Sequence, residues 1–165
     1  MRLLRVKEIV EEKYHELSVY AREAAEGFAD GVNYYMLTHP EETPVWAESV
    51  TPQQVVAWGK MVSLSRPLNR LFEDLRRGNI TVSLPISIPR EFFSNEWVVS
   101  GDRTADGYVM LQCDPHLPWF GMNSWYEIHL VSKDYNVIGA TIWGVPGVIL
   151  GHNDRIAWAL TANNP

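Results

Sequence analysis

The stretch Phe92-Phe93-Ser94-Asn95-Glu96-Trp97-Val98-Val99-Ser100-Gly101, followed by Asp114-Pro115-His116 with the histidine 22 residues after the serine, decides how this chain reads. It lies just past residue 80, where the pattern turns from helical to extended. Residues 97–100 and 108–111 are short β-prone runs flanking a turn region that ends in Asp106-Gly107, a hairpin signal. Residues 115–121 read as a loop. Residues 125–131 alternate, with Tyr126, Ile128 and Leu130 on one face. Lys133-Asp134 turns the chain into a strand over 136–143, and two further runs, 145–150 and 156–161, are joined by Asn153-Asp154. Upstream, residues 80–88 alternate but carry Pro85, with Pro89 just beyond, so they read as an edge strand or an extended linker.

Outward to the N-terminus the period changes to that of a helix. Val6, Ile9, Val10, Tyr14, Leu17, Ala21, Ala24, Ala25, Phe28, Val32 and Met36 form one apolar stripe, predicting a helix of roughly thirty residues with its weak point at Gly27 and Gly31. Pro40 and Pro44 mark a loop. Thr51-Pro52-Gln53-Gln54 is a capping box with proline at the first helical position. Val55, Trp58, Val62, Leu68, Leu71, Phe72 and Leu75 make the apolar face of the helix it opens. Pro67 is expected to kink that helix, and Arg76-Arg77-Gly78 to close it. Helices followed by mostly antiparallel short strands give an α+β fold class.

Composition narrows the function. The 165 residues are 46% hydrophobic, enough for a packed core. Net charge is −6, from 14 Lys+Arg against 20 Asp+Glu, and no basic patch interleaves with aromatics, so nucleic acid is not an expected partner. No run of 18 apolar residues is present, so a membrane is not one either. Cys113 is the single cysteine, which excludes an internal disulfide and a Cys-rich zinc site. Seven tryptophans fit an apolar cleft or an aromatic-rich core equally well. Trp97, Trp125 and Trp158 are read as core, and His129 and His152 as structural.

A serine hydroxyl is a poor nucleophile without a base, and the Gly-x-Ser-x-Gly elbow is absent. By itself Ser94 is a loop serine. Cutting the Phe93–Ser94 bond would change that: the freed α-amine, with an ordinary pKa of about 7.7–8.0, is a base at neutral pH on the same residue as the nucleophile.

Several segments share one resemblance. Ser94-Asn95-Glu96-Trp97-Val98-Val99, then Cys113-Asp114-Pro115-His116-Leu117, Trp125-Tyr126-Glu127-Ile128-His129-Leu130, Gly139-Ala140-Thr141, Gly144-Val145-Pro146-Gly147 and Gly151-His152-Asn153-Asp154-Arg155-Ile156-Ala157-Trp158 resemble, in order, the start of the catalytic chain in the penicillin acylase family of N-terminal nucleophile hydrolases. Ala29-Asp30-Gly31-Val32-Asn33-Tyr34-Tyr35 is more loosely similar to the end of the family's small chain. The resemblance implies a partial αββα architecture. It divides the chain into residues 1–79 (end of the small chain), 80–93 (linker before the cleavage site) and 94–165 (start of the catalytic chain).

The resemblance also implies roles. Ser94 matches the nucleophile, freed by self-cleavage between Phe93 and Ser94, and its α-amine matches the base. His116 matches a residue that orients the serine and offers its backbone N–H to the oxyanion. Ala162 matches the other backbone donor, and Leu117, Leu150 and Leu160 match acyl-pocket positions. Glu73 matches a calcium-binding glutamate, although read from its surroundings alone it is a solvated helix-end carboxylate. No cofactor is implied for catalysis beyond that structural calcium. The chain departs from the pattern at Phe93, where the family commonly has glycine, and at Cys113, where it usually has asparagine.

The expected activity is hydrolysis of a linear amide: an acyl-homoserine lactone, a β-lactam side chain or an acylated peptide. The expected partners are that small acyl amide and the remainder of the catalytic chain. Family precursors are several times longer, so this chain is expected to be a fragment, inactive in isolation, with Met1 an internal methionine. The first 30 residues hold no apolar signal core; a periplasmic or secreted location is what the resemblance implies. The alternative is a truncated or inactive relative serving only as a structural or binding module.

Overall fold

A computed structural model describes residues 4–78, 93–117, 119–121 and 124–161. The chain forms two compact units, Met1–Ile80 with Gly144–Pro146, and Thr81–Trp143 with Gly147–Pro165. The mix of helices and antiparallel sheets is that of an α+β protein.

In the first unit α1 spans Val6–Lys13, α2 Val19–Thr38 and α3 Pro52–Arg77. The single long helix expected at the N-terminus is thus two helices, and the break falls at a serine rather than at the glycines. After a 3₁₀ turn over Tyr14–Glu16, Leu17 is extended and the Ser18 hydroxyl accepts from the Ala21 N–H at 3.2 Å, starting a new helix. Helix α2 then runs through Gly27 and Gly31. Each glycine costs a helix about 1 kcal/mol, a loss that burial of α2's inner face offsets.

That inner face is small: Ala25 and Ala29 are buried with Val55 of α3, flanked by Phe28 and Val50. A second cluster joins Val6 and Val10 of α1 to Ala57, one residue past the turn of α3 that meets α2. Both N-terminal helices therefore pack on the N-terminal part of α3, α2 at Val55 and Val56 and α1 from Val56 to Leu64. The loop before α3 is tied down from α2, where Asn33 Oδ1 accepts from the Val50 N–H at 2.7 Å and Asn33 Nδ2 donates to the Val50 carbonyl at 2.9 Å.

Helix α3 opens as expected. The Gln54 N–H donates to the Thr51 hydroxyl at 3.2 Å, and the Gln54 side chain accepts from the Thr51 N–H at 2.8 Å. The helix continues past Pro67 to Arg77. Gly78 ends it without entering the left-handed region (φ −79°); its N–H still reaches the Asp74 carbonyl.

Among its described residues the second unit holds six strands, all paired antiparallel. β1 (Phe93–Val99) pairs with β2 (Met110–His116). A four-stranded sheet runs in the order β3 (Trp125–Val131), β4 (Asn136–Ile142), β5 (Leu150–His152) and β6 (Ala157–Trp158). β2 extends through Pro115 and His116, which had read as loop. The runs at 145–150 and 156–161 keep only short strands. Asn153 accounts for the turn between them: its Oδ1 accepts from the N–H groups of Arg155 and Ile156, and its own N–H donates to the Ile156 carbonyl. Thr141 and Ile142 are the buried end of β4. The reading of residues 80–88 lies outside the described residues.

Candidate active site

Ser94 is the second residue of β1, directly opposite Pro115. Side chains alternate across a strand, and directly opposed residues share a face. Ser94 and Glu96 therefore share one face of this hairpin with Pro115, Cys113 and Leu111, while Asn95 and Trp97 share the other with His116, Asp114 and Gln112.

The Ser94 face is the one that borders a groove. Its lining takes Leu111, Cys113 and Pro115 from β2 and Leu117 just after it, with Trp125, Glu127, Gly139, Ala140, Leu150 and Trp158 from the four-stranded sheet. The groove encloses about 1240 Å³ and its walls are mainly apolar, with Glu127, His152, Asp154 and Arg155 adding charged and polar groups. Trp125 and Trp158, read as core from the sequence, are walls of this groove, and Trp97 is 65% exposed on the opposite hairpin face.

The chain after β6 returns to this hairpin. The Cys113 thiol donates to the Leu160 carbonyl at 3.7 Å, and the Thr161 hydroxyl donates to the Ser94 carbonyl at 2.9 Å. Residues 160 and 161 are so held against β2 and β1 in turn. Ala162, the next residue, lies outside the described residues.

On the far face three polar side chains converge. His116 Nε2 is 3.0 Å from Asp114 Oδ2 and 3.3 Å from Asn95 Nδ2, and that amide donates to the same Asp114 oxygen at 3.4 Å. The hydrogen bond from His116, with help from Asn95, holds the Asp114 carboxyl below the ordinary aspartate range against the opposing effect of desolvation. The pair is half exposed, so its net contribution to stability is small.

The expected site residues are thus placed unequally. Leu117 and Leu150 line the groove beside the Ser94 face. Leu160 does not: it is 59% exposed and contributes its carbonyl. The His116 imidazole lies across the hairpin from the Ser94 side chain, engaged by Asp114 and Asn95, so in this register it does not orient the serine. Phe93 pairs with His116 at the start of β1, which puts the expected scissile bond within a regular ladder.

Glu73 belongs to the helical unit. Calcium takes 6–8 oxygen ligands, and among the described residues no group of three or more His, Cys, Asp or Glu is placed to hold a metal. These residues alone do not make a calcium site. Sequence reasoning missed Asn95 and Thr161. Both adjoin residues it had singled out, Ser94 and Ala162, and a cross-strand contact leaves no local signal.

No helix among the described residues is long and apolar enough to cross a membrane. The acyl-homoserine lactone acylase QuiP of Pseudomonas aeruginosa is 34% identical over 68 residues, covering 41% of this chain and 8% of that protein. Aculeacin-A acylase of Actinoplanes utahensis is 37% identical over 71 residues, 42% of this chain and 9% of that protein. The acyl-homoserine lactone acylase PvdQ of Pseudomonas syringae is 29% identical over 111 residues, covering 67% of this chain and 14% of that protein. The matched segment thus spans at most about a seventh of the length of these relatives. The penicillin amidase family model matches residues 1–165, and the chain belongs to that family.

Proposed function

We propose that this chain carries the nucleophile of an amidohydrolase that matures by cutting itself before Ser94. The observation that carries the reading is the position of Ser94: on the hairpin face bordering an apolar, tryptophan-walled groove, with its own carbonyl held by Thr161. Membership of the penicillin amidase family, with relatives named as acyl-homoserine lactone and aculeacin-A acylases, supports it.

In maturation the Ser94 hydroxyl adds to the Phe93 carbonyl carbon, the Phe93–Ser94 C–N bond breaks, and an ester to Ser94 Oγ forms. Water hydrolyses that ester, leaving a Phe93 carboxylate and a free Ser94 α-amine. In turnover the same hydroxyl adds to the amide carbonyl of the substrate. The α-amine takes the hydroxyl proton and passes it to the leaving amine as the substrate C–N bond breaks. Water then releases the acid from the acyl-serine. Backbone N–H groups of Ala162 and His116 hold the oxyanion, a contribution typically worth about 10²–10³ in rate per donor.

The groove walls favour an aliphatic or aromatic acyl group, recognised by shape and by exclusion of water. The architecture is that of an N-terminal nucleophile hydrolase, and the rest of the catalytic chain supplies a side-chain oxyanion donor. A second reading, a binding module without activity, is favoured by one observation: the Phe93–Ser94 peptide lies in an ordinary strand.

Intact mass and N-terminal sequencing of the full-length protein decide between them, beside a Ser94→Ala control. A new chain beginning Ser-Asn-Glu-Trp, absent from the control, is the expected result. An uncut wild-type chain overturns the hydrolase reading.

A further inference from the structure

We infer that Thr161 is a positioning residue for Ser94, acting through the nucleophile's own backbone carbonyl. The inference rests on the hydrolase reading above and adds a residue that sequence motifs did not single out.

Across an antiparallel pair, a residue's carbonyl can accept a ladder bond only from the N–H of the residue opposite it. Pro115 stands opposite Ser94 and has no N–H. Pro115 therefore donates no ladder bond to Ser94. The Thr161 hydroxyl donates to the Ser94 carbonyl at 2.9 Å, from 67 residues away in sequence.

That bond joins two parts of the site that no strand pairing connects. Among the described residues β1 pairs with β2 alone, and residues 159–161 after β6 are in neither sheet. The neighbouring Cys113–Leu160 contact runs parallel to it, but a thiol is a weak donor, and 3.7 Å is long. Thr161 thus ties the nucleophile's own strand, and Cys113 more weakly ties β2, to the segment that leads directly into Ala162. Side chain and carbonyl of Ser94 share one Cα, so fixing the carbonyl limits where the hydroxyl and the freed α-amine can stand. A displacement on the order of 1 Å in such a constellation costs about 10²-fold in rate.

The test compares Thr161→Val, which keeps the shape and deletes the hydroxyl, with Thr161→Ser, which keeps the hydroxyl, in the full-length protein. The readouts are cleavage before Ser94, and kcat and KM on a chromogenic aliphatic anilide that the wild-type enzyme hydrolyses. Thr161→Val is expected to lower the cleavage rate or kcat by about 10- to 100-fold with KM within about threefold, and Thr161→Ser to restore both to within about threefold of wild type. Wild-type rates in Thr161→Val overturn the inference while leaving the hydrolase reading intact. Equal losses in both variants also overturn it, because the hydroxyl is then not the cause. A wild-type chain that is never cut overturns the reading itself, and this inference with it.

Discussion

Gly139 and Gly151 face each other at the centre of the β4–β5 pairing, flanked by Ile138 opposite His152 and Ala140 opposite Leu150. A Cβ placed on Gly139 would lie 2.0 Å from the Leu150 carbonyl oxygen, 2.6 Å from Gly151 Cα and 2.7 Å from Val148 Cγ1. Two of those three atoms are backbone, so no rotamer change relieves the contact. Comfortable separation between such atoms is about 3.5 Å, and Gly139→Ala must push the strands apart by more than about 1 Å at the middle of a three-pair ladder. Two or three ladder hydrogen bonds are then lost or stretched, at about 1 kcal/mol each, and overpacking adds about 1–3 kcal/mol. The local penalty is about 3–6 kcal/mol, a large part of an ordinary domain's stability.

Amide hydrogen exchange of the full-length protein reads that penalty locally. At 1.4 kcal/mol per decade, peptides covering residues 136–142 and 150–152 should exchange about 10²- to 10⁴-fold faster in Gly139→Ala, and Gly151→Ala should match it. In Gly151→Ala the new carbon would meet the Ile138 carbonyl oxygen at 2.2 Å. Exchange within about threefold of wild type in both variants would show that the close approach does not exist. The effect should extend to Ser94, because β5 leads through β6 to Thr161.

Smaller effects are expected elsewhere. Gly27→Ala, at a helical position where a Cβ meets nothing within 4 Å, should stabilise the helical unit by about 0.5–1 kcal/mol in denaturant unfolding. Thr51→Ala removes one half of the capping box that opens α3 and should cost about 1 kcal/mol in the same assay. Asn33→Ala deletes both hydrogen bonds to Val50 and should cost about 2 kcal/mol, with faster exchange confined to the loop before α3. The lowered Asp114 carboxyl stabilises the β1–β2 hairpin above the ordinary aspartate value of 3.8; that contribution is lost as pH falls through its lower folded value. Hairpin exchange protection should therefore weaken on acidification below pH 3.8 in wild type, and Asp114→Asn should abolish that step.

The elements that could be read from the chain were those whose signal is local. The capping box at Thr51-Pro52-Gln53-Gln54 is a four-residue device, and it forms as written. The alternation of Tyr126, Ile128 and Leu130 reports a half-buried strand, and β3 is one. Misreadings arose where local signals competed. Ser18 could sit within a helix or cap one, and apolar periodicity alone cannot distinguish the two. Pro115 read as a loop breaker because proline gives up a ladder bond, yet a two-stranded hairpin tolerates it at the end of β2. Leu111, Trp125 and Trp158 show the same limit on another scale: apolar character places them away from water, but only the packing of two sheets decides whether they fill a core or wall a groove.

The register of β1 against β2 also bears on which group can serve Ser94 as a base. A one-residue slip would exchange every side chain between the two faces, bringing His116 to the serine and sending Cys113 and Leu111 away from the groove. The observed register brings together the Asn95–Asp114–His116 cluster on the far face, while Thr161 bonds the Ser94 carbonyl of β1 and Cys113 of β2 bonds the Leu160 carbonyl. A slip would separate Asn95 from Asp114 and His116 and carry the half-buried Leu111 to the other face. With the imidazole committed to the far face, a serine–histidine pair within this hairpin is geometrically disfavoured. An α-amine on Ser94 needs no register, because it shares the nucleophile's Cα. Cleavage before Ser94 would thus create a base on the groove side of a hairpin whose histidine faces the other way.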